Sequence, residues 1–279
     1  MTAYANLGGL EVGDEFPVRL VGAINVSPES FYQGSVAKEE DSLRAKAEQM
    51  AAEGVDVLDI GAMSTAPYLK TEITEAEEIQ RLTWAIGIVR KAVAVPISAD
   101  TKRGRVALAA LDAGADIIND VSGLRYDPGM AEIVARRAQG LILMASETDP
   151  NVRDPIGTVR GLLEESLQIV WKAGVPDHRV VLDPGIGFFR QAAIPWHVWD
   201  CEVLRKLSEL RVLGRPLLVG ISRKSFIGKI VGQADPGDRL VGSLAATAIA
   251  VVNGVHLIRA HDIGPTREAV RVAEALRPG

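Results

Sequence analysis

The sequence predicts a single (β/α)8 barrel of the TIM type, and three observations support this fold class. The chain has 279 residues, close to the length of about 250 residues that is typical of such barrels. Short apolar runs alternate with helical patterns eight times, at intervals of about 30 residues. Most of the apolar runs end in a polar residue, as expected where the carboxyl ends of parallel strands form a site.

The elements follow in regular order. The predicted strands are 18–24, 55–60, 95–99, 115–118, 141–144, 179–182, 217–220 and 255–258. The helical patterns that follow them are 39–53, about 72–92, 103–113, 128–139, 156–173, about 197–210, 239–253 and 265–276. An open doubly wound sheet is the alternative, because a strand count alone does not prove that a sheet closes.

One domain is expected to span residues 1–279, with residues 1–17 as an N-terminal preamble. Within the preamble, Glu11 to Asp14 have the composition of a hairpin turn. We therefore expect a small hairpin in front of the first barrel strand.

Composition excludes several classes of protein. The chain is 47% hydrophobic and 24% charged, with a net charge of −5, and it contains no apolar run near the roughly 20 residues that span a bilayer. It has no run of Lys and Arg, so neither nucleic acid nor a membrane is an expected partner. The single cysteine, Cys201, excludes an intramolecular disulfide, and the N-terminus lacks a secretory signal pattern. We expect a cytoplasmic protein in which Cys201 has a packing role.

The run Leu217–Gly220 is followed directly by the hydroxyls and cations of Ser222–Ser225. A buried strand that delivers Lys224 and its neighbours to one rim is suited to an anion or an electron-rich ring. For this motif alone, a solvated loop is an equally good interpretation.

The other strand ends decide between these interpretations, because nearly all of them are polar and would converge on one mouth of the barrel. Asp100, Asn119 and Asp183 supply acceptors and an amide suited to a ring rich in N–H donors, and Lys224 can donate to its carbonyl oxygen or ring nitrogen. Arg259, His261 and Thr65 offer cations and hydroxyls suited to phosphate. The strand ends are Asn25, Asp59, Ser64-Thr65, Asp100-Thr101, Asn119-Asp120, Met144, Asp183, Lys224-Ser225 and Arg259 with His261-Asp262.

A tight loop follows the sixth predicted strand at Asp183–Phe188. Its two glycines permit close approach of the backbone, and Phe188 can cover a flat ligand. A plain βα turn is the alternative for this loop taken alone.

Together these motifs resemble the dihydropteroate synthase family of pterin-binding barrels over about residues 22–262. The resemblance is carried by the segments Ile24–Phe31, Asp59–Gly61 with Ser64-Thr65, Ser98–Thr101, Ile118–Gly123, Asp183–Phe188, Ser222–Gly228 and Arg259–Asp262.

The resemblance implies a role for each site residue. Asp100, Asn119, Asp183 and Lys224 would hold the pterin, and Met144 would also contact substrate. Asn25, Arg259 and His261 would handle the pyrophosphate with Mg²⁺, for which Asn25 is the expected protein ligand. Thr65, Phe188 and Ser225 would border p-aminobenzoate.

The implied reaction joins a pterin-methyl pyrophosphate to an arylamine and releases pyrophosphate. It requires a carboxylate near a developing cation and positive charge around the leaving group. Asp100, Lys224, Arg259 and His261 are therefore the predicted catalytic residues. The resemblance also implies a homodimer formed through helices near the C-terminus.

Three segments depart from the family pattern, and all of them concern the second substrate. Ala66 replaces the usual arginine of the second loop, Glu29–Gly34 differs from the first-loop pattern, and Ala145–Thr148 replaces a His-Met segment. A variant from a tetrahydromethanopterin-type pathway, with a bulkier ribosyl-phosphate arylamine, is one interpretation.

Two rival functions follow from the same residues. A pterin-dependent methyltransferase that serves a corrinoid protein would share the Asp and Asn contacts, but it has no evident use for Lys224 and Arg259. A non-catalytic pterin-binding protein would not need the anion pocket.

Overall fold

The computed structural model describes residues 2–26, 36–62, 73–146, 149 and 151–277. Eight parallel strands form the central sheet in the order β8-β7-β6-β5-β4-β3-β10-β9. A parallel bridge between Leu182 and Leu217 joins the two ends of this order. The predicted barrel is therefore confirmed and the open sheet is excluded. The strands are β3 (Arg19–Asn25), β4 (Val57–Gly61), β5 (Ile97–Asp100), β6 (Ile117–Asp120), β7 (Gly140–Met144), β8 (Val180–Asp183), β9 (Leu218–Gly220) and β10 (Leu257–Ala260).

Helices cover the outside of the barrel and bury the outer face of its apolar strands, while side chains of the strands themselves fill the inside. They are α1 (Val36–Ala52), α2 (Glu75–Ala92), α3 (Gly104–Asp112), α4 (Met130–Arg137), α5 (Pro155–Ala173), α6 (Trp196–Arg205), α7 (Ser225–Val231), α8 (Leu240–Val252) and α9 (Ile263–Leu276). Capping explains two of the starts. The Thr74 hydroxyl accepts the Glu77 N–H at 3.2 Å, and Asp154 accepts the Gly157 N–H at 3.2 Å.

Two helical regions differ from the sequence prediction. A short helix, α7, forms where a loop was expected, because Phe226 and Ile227 bury their side chains against the barrel. The helix predicted to continue to Leu210 ends at Arg205, and the chain continues as a 3₁₀ helix over Leu207–Leu213.

The N-terminal hairpin forms, but its turn is not where it was predicted. Strands β1 (Tyr4–Leu7) and β2 (Leu10–Gly13) pair around Gly8 and Gly9, whose φ angles are +62° and +94°. Two adjacent left-handed residues favour glycine and match the twist of a hairpin, so the turn lies here and not at Glu11–Asp14.

The hairpin packs beneath the barrel. Its inward side chains form a buried cluster with the first residues of the strands, and Leu7 contacts the backbone of Gly140 at the start of β7. The hairpin thus closes the amino end of the barrel and leaves the carboxyl end open.

Within the described ranges, no helix combines the length and apolar character needed to cross a bilayer.

Candidate active site

The carboxyl ends of the barrel strands surround an open cavity of about 360 Å³. The convergence of polar strand ends is confirmed, while the roles of the residues stay predictions. Thr65 lies outside the described residues, and Ser225 lies next to the lining, where its Oγ accepts a hydrogen bond from Arg190. The other predicted site residues all line the cavity: Asn25, Asp100, Asn119, Met144, Asp183, Phe188, Lys224, Arg259 and His261.

An ion pair links β10 to β4 and β5 at the carboxyl end of the barrel. Arg259 donates from Nε to Asp59 Oδ2 at 2.6 Å and from Nη2 to Asp100 Oδ2 at 3.5 Å. Asn119 Nδ2 donates to the same Asp59 oxygen at 3.2 Å. Asp59 is fully buried, so its charge must be balanced by protein groups. Arg259, which the sequence placed with the phosphate-binding groups alone, therefore also pairs with two strand-end carboxylates.

Asp100 keeps one oxygen free. Its side chain is buried, and Oδ1 has no hydrogen-bond partner among the described residues. Burial and the neighbouring charge of Asp59 raise the pKa of Asp100 to about 7, although Arg259 opposes the shift. An unpartnered carboxyl oxygen at the end of β5 can accept from a ligand N–H or face a developing positive charge.

Asp183 ends β8 and anchors the loop that follows. Its Oδ1 accepts the Gly185 N–H at 2.8 Å. Gly185 has φ +74°, and a Cβ there would lie 2.0 Å from the Ala145 carbonyl oxygen, so this position requires glycine. Burial raises the pKa of Asp183 to about 6, although the Gly185 N–H and the Lys224 charge oppose the shift.

Lys224 rests on the same loop. Its Nζ donates to the Ile186 carbonyl at 2.5 Å and lies 4.7 Å from the centroid of the Phe188 ring. Burial lowers the pKa of Lys224 to about 8, although Asp183 and Asp200 oppose the shift. The ammonium is therefore protonated at neutral pH and can donate to a carbonyl or ring nitrogen in the cavity.

His261 lies at the rim beside Ser222, with 3.1 Å between His261 Nδ1 and Ser222 Oγ. The His261 side chain is exposed at the rim. Partial removal from water and the positive charges of Arg259 and Lys46 lower the pKa of His261 to about 4. The neighbouring cations therefore disfavour the charged form of the ring while no anion is bound. An arriving anion would oppose the neighbouring cations and favour protonation of the ring.

Two loops at the rim are joined by an ion pair. Arg223 donates from Nε and Nη2 to the two carboxylate oxygens of Asp262, at 2.8 and 2.9 Å. Arg223 has φ +57°, a left-handed conformation that is uncommon for a residue with a side chain. The pair connects the loop that carries Lys224 to the loop that carries His261.

Arg190 supplies a positive charge on the side of the cavity near Ser225. Arg190 donates from Nε to the Gly187 carbonyl at 2.9 Å, and its guanidinium lies 4.2 Å from the centroid of the Trp196 ring. Phe188 and the buried Met144 complete this side. Of the departures noted in the sequence, Ala66, Glu29–Gly34 and Glu147-Thr148 lie outside the described residues.

Sequence reasoning assigned no role to Asp59 or Arg190. Asp59 lies inside the apolar run Val55–Ile60, and this position indicates a buried carboxylate that needs a partner. Arg190 follows an irregular loop, and no local pattern pointed to it. Cys201 packs against the core, and burial raises the pKa of its thiol, in agreement with a packing role.

Known proteins share this architecture over nearly the whole chain. The family model described as "Pterin binding enzyme" matches residues 21–261. The chain is 36% identical to a dihydropteroate synthase of Synechocystis sp., covering 92% of this chain and 89% of the relative. It is also 36% identical to the enzyme of that name from Neisseria meningitidis serogroup B, covering 96% of each chain.

Solved structures agree with these relatives. A Xanthomonas albilineans dihydropteroate synthase with 4-aminobenzoic acid is 33% identical, with a TM-score of 0.87 and full coverage of both chains. A dihydropteroate synthase from Coxiella burnetii in complex with pteroic acid is also 33% identical, with a TM-score of 0.85 over 99% of this chain and 98% of the other. The chain therefore belongs to the pterin-binding enzyme family and, within it, to the dihydropteroate synthases.

Proposed function

We propose that this transferase condenses 6-hydroxymethyl-7,8-dihydropterin pyrophosphate with p-aminobenzoate and releases pyrophosphate. The observation that carries the proposal is that one cavity combines a buried set of carboxyl and amide groups with several arginine side chains, Arg190, Arg223, Arg239 and Arg259. The solved relatives from X. albilineans with 4-aminobenzoic acid and with 7,8-dihydropteroate support both the amine and the product. No observation favours the methyltransferase or the non-catalytic binding protein.

The pterin would lie against Asp100, Asn119, Asp183 and Lys224. Buried carboxyl and amide oxygens accept the N–H groups of the ring, and the Lys224 ammonium donates to its carbonyl oxygen or ring nitrogen. Because these groups are held by hydrogen bonds before the ligand arrives, little reorganisation accompanies binding. The free oxygen of Asp100 would stabilise the positive charge that develops as the C–O bond breaks.

The leaving pyrophosphate would be held at the rim. Arg259 lines the cavity with a permanent charge, and His261 can donate a ring N–H to a phosphate oxygen. Negative charge beside the ring raises its pKa, so His261 would take up a proton as the pyrophosphate forms. This gives the rim a charge that increases with the charge of the leaving group.

The residues at the rim also fit a magnesium ion. Mg²⁺ keeps several waters and is commonly held by one or two protein groups together with substrate phosphates, so it does not need a cage of protein ligands. Asn25 is exposed at the end of β3, and its side-chain amide makes no hydrogen bond to a described residue. Its amide oxygen would hold the ion, which would neutralise charge on the pyrophosphate. Among the described residues, no group of three His, Cys, Asp or Glu side chains offers a separate metal cage.

The arylamine would approach between Phe188 and Ser225. Phe188 can pack on the aromatic ring, and Arg190 lies beside Ser225 near the place where an anionic substituent would enter. The expected role of Thr65, like the effect of Ala66 and the tetrahydromethanopterin-type interpretation, stays a prediction.

Assembly as a homodimer is part of the proposal. The adjacent helices α8 and α9 carry exposed apolar side chains, including Val241, Ile249, Val272 and Leu276, which supports an interface there. Sedimentation of the wild type should give a dimer, and Ile249→Asp should give a monomer. Val212→Asp, which places the same charge at another exposed apolar position, should leave the dimer intact. The predicted cytoplasmic location stays a prediction.

The deciding experiment measures pyrophosphate release with Mg²⁺ and the pterin pyrophosphate, and it identifies the adduct by mass. Turnover with p-aminobenzoate supports the proposal. Turnover with only a ribosyl-phosphate arylamine would replace p-aminobenzoate by the larger amine, and no release with either amine would overturn the proposed function.

A further inference from the structure

A buried carboxyl that has no part in the proposed reaction lies behind the loop after β8. Asp200, on α6, is 1% exposed. Its Oδ1 accepts the Gly187 N–H at 2.8 Å, while Oδ2 has no hydrogen-bond partner among the residues that the structure describes. A buried carboxylate with one free oxygen is costly, so its presence calls for a nearby positive charge.

The loop connects Asp200 to Lys224. Gly187 has φ +84°, and a Cβ at this position would lie 2.9 Å from Lys224 Cδ and 3.2 Å from Nζ. The Lys224 ammonium donates to the carbonyl of the preceding residue, Ile186. The loop therefore touches the lysine on one side and is held by Asp200 on the other.

The charges around the lysine come from four different parts of the fold. Asp183, at the end of β8, and Asp200 favour the ammonium form, whereas Arg259, on β10, and Arg190 oppose it. The charged neighbours of Asp200 itself are Lys224, Arg190 and His197. Asp183 faces the cavity and would be engaged by substrate, so Asp200 is the negative charge that stays available to Lys224 when the site is filled.

We propose that Asp200 is a positioning residue for Lys224, which it serves by anchoring the Gly187 loop and by holding a negative charge behind the ammonium. The part concerning substrate rests on the proposed function, since Lys224 is there assigned to the pterin. The part concerning Lys224 itself can be measured without any ligand.

Two substitutions separate the two effects. Asp200→Asn keeps an oxygen for the Gly187 N–H and removes the charge. Asp200→Ala removes both the charge and the anchor. Val203→Ala is the matched control, because it removes buried volume from the same helix and leaves the Asp200 carboxyl in place.

The first measurement is the titration of Lys224 by NMR in the free protein, with ¹³C-labelled lysine and Lys224→Arg to assign the signal. Burial of Asp200 raises its pKa to about 6, so it is charged where Lys224 titrates, near pH 8. Its removal should lower the pKa of Lys224 by about one unit in Asp200→Asn, whereas Val203→Ala should leave that pKa unchanged. An unchanged Lys224 pKa in Asp200→Asn would overturn the inference.

The second measurement is the affinity for 6-hydroxymethylpterin by calorimetry between pH 6.5 and 9.5, where ligand ionisation is common to all variants. Asp200→Asn should bind the pterin within twofold of wild type at pH 6.5. As the pH rises and Lys224 loses its proton, the affinity of the variant should begin to fall about one pH unit below the pH at which the wild-type affinity falls. Asp200→Ala should bind about tenfold more weakly at every pH. If the Lys224 pKa shifts but the wild type binds no pterin, the proposed function fails and the role of Asp200 in placing Lys224 stands.

Discussion

Single residues in this site act through the partners that bury them. Asp59 is fully buried, and its charge is balanced by Arg259 and by the Asn119 amide. Asp100, one strand away, contacts the same arginine at a longer distance of 3.5 Å. Each carboxylate has one oxygen without a hydrogen-bond partner among the described residues, but only Asp100 lines the cavity. Asp59 is therefore an anchor for Arg259, and the free oxygen of Asp100 is the one that a ligand can reach.

Substitution of Arg259 by lysine tests this anchoring. A single ammonium cannot reproduce the planar fork that reaches both Asp59 and Asp100, so the unfolding free energy should fall by about 2 kcal/mol in urea denaturation. Arg19→Lys is the matched control, because the Arg19–Asp56 pair has a similarly exposed arginine but a carboxylate open to water. The control should lose less than about 1 kcal/mol. Equal losses in the two variants would contradict an anchoring role for Arg259.

The raised pKa of Asp100 predicts how turnover depends on pH. In the proposed reaction the ionised form of Asp100 faces the developing positive charge, so pyrophosphate release should rise with pH through a midpoint near 7. Asp100→Asn should lose this limb and fall about 100-fold at pH 8, where the wild-type carboxylate is charged. Ser98→Ala, a buried change two residues earlier on the same strand, should keep both the limb and the rate. If pyrophosphate release by Asp100→Asn still rises with pH through a midpoint near 7, the ionisation belongs to another group.

At the scale of elements, the rim is assembled from loops that are distant in sequence. The bidentate pair between Arg223 and Asp262 joins the β9–α7 loop to the β10–α9 loop. Lys224 follows Arg223, and His261 precedes Asp262. The ion pair therefore helps to hold two residues that line the cavity, Lys224 and His261.

Substitution of Asp262 by asparagine should affect both stability and substrate affinity. Hydrogen bonds from Arg223 lower the pKa of Asp262 below its ordinary value of 3.8. A lowered carboxyl pKa contributes stability above 3.8 that is lost as the pH falls through the lowered value. At pH 7 the variant should lose about 1 kcal/mol in denaturant titration and show a raised KM for the pterin substrate.

The stability difference between wild type and Asp262→Asn should narrow as the pH falls below 3.8. Asp238→Asn, which changes an exposed carboxylate nearby, serves as the control and should match wild type in both measurements. A stability difference that grows toward acid pH would have the wrong sign for this mechanism.

At the scale of the whole molecule, the two ends of the barrel have different tasks. The hairpin closes the amino end, where Asp14 Oδ1 lies 3.0 Å from His256 Nε2 and 2.8 Å from Arg211 Nη2. Although burial opposes the shift, hydrogen bonds from His256, the Ala3 N–H and Arg211 lower the pKa of Asp14 to about 2. The Leu217 N–H donates to His256 Nδ1, so Nε2 carries the proton that is donated to Asp14. This end provides stability, and the open end provides the site.

Substitution of Leu7 by alanine tests the separation of the two ends. Leu7 is fully buried between the hairpin and the barrel, so its truncation should cost about 3 kcal/mol in urea denaturation. Pterin affinity should stay within twofold of wild type, because the cavity is at the other end. Leu10→Ala, a half-buried position on the same hairpin, should cost less. A single cooperative transition in each variant would support the predicted single domain over residues 1–279, and two separate transitions would contradict it.

Local patterns carried much of the prediction. Strands, helices and their alternation follow from apolar runs and stop signals within about 15 residues, and a strand end is visible wherever such a run meets Asp, Asn or Lys. Asp100, Asn119, Asp183 and Lys224 were therefore found without any long-range information. The N-terminal turn was misplaced because two competing turn signals, Gly8-Gly9 and Glu11–Asp14, lie close together.

The sequence by itself determined the barrel, the end at which its cavity lies and most of the residues that line that cavity. Only the tertiary structure decided how these residues are paired and charged. Arg259 and Asp59 are 200 positions apart, and barrel closure brings them together. The lowered pKa of His261 and the charge of Asp200 near Lys224 depend on burial and on neighbouring charges, which no local pattern encodes.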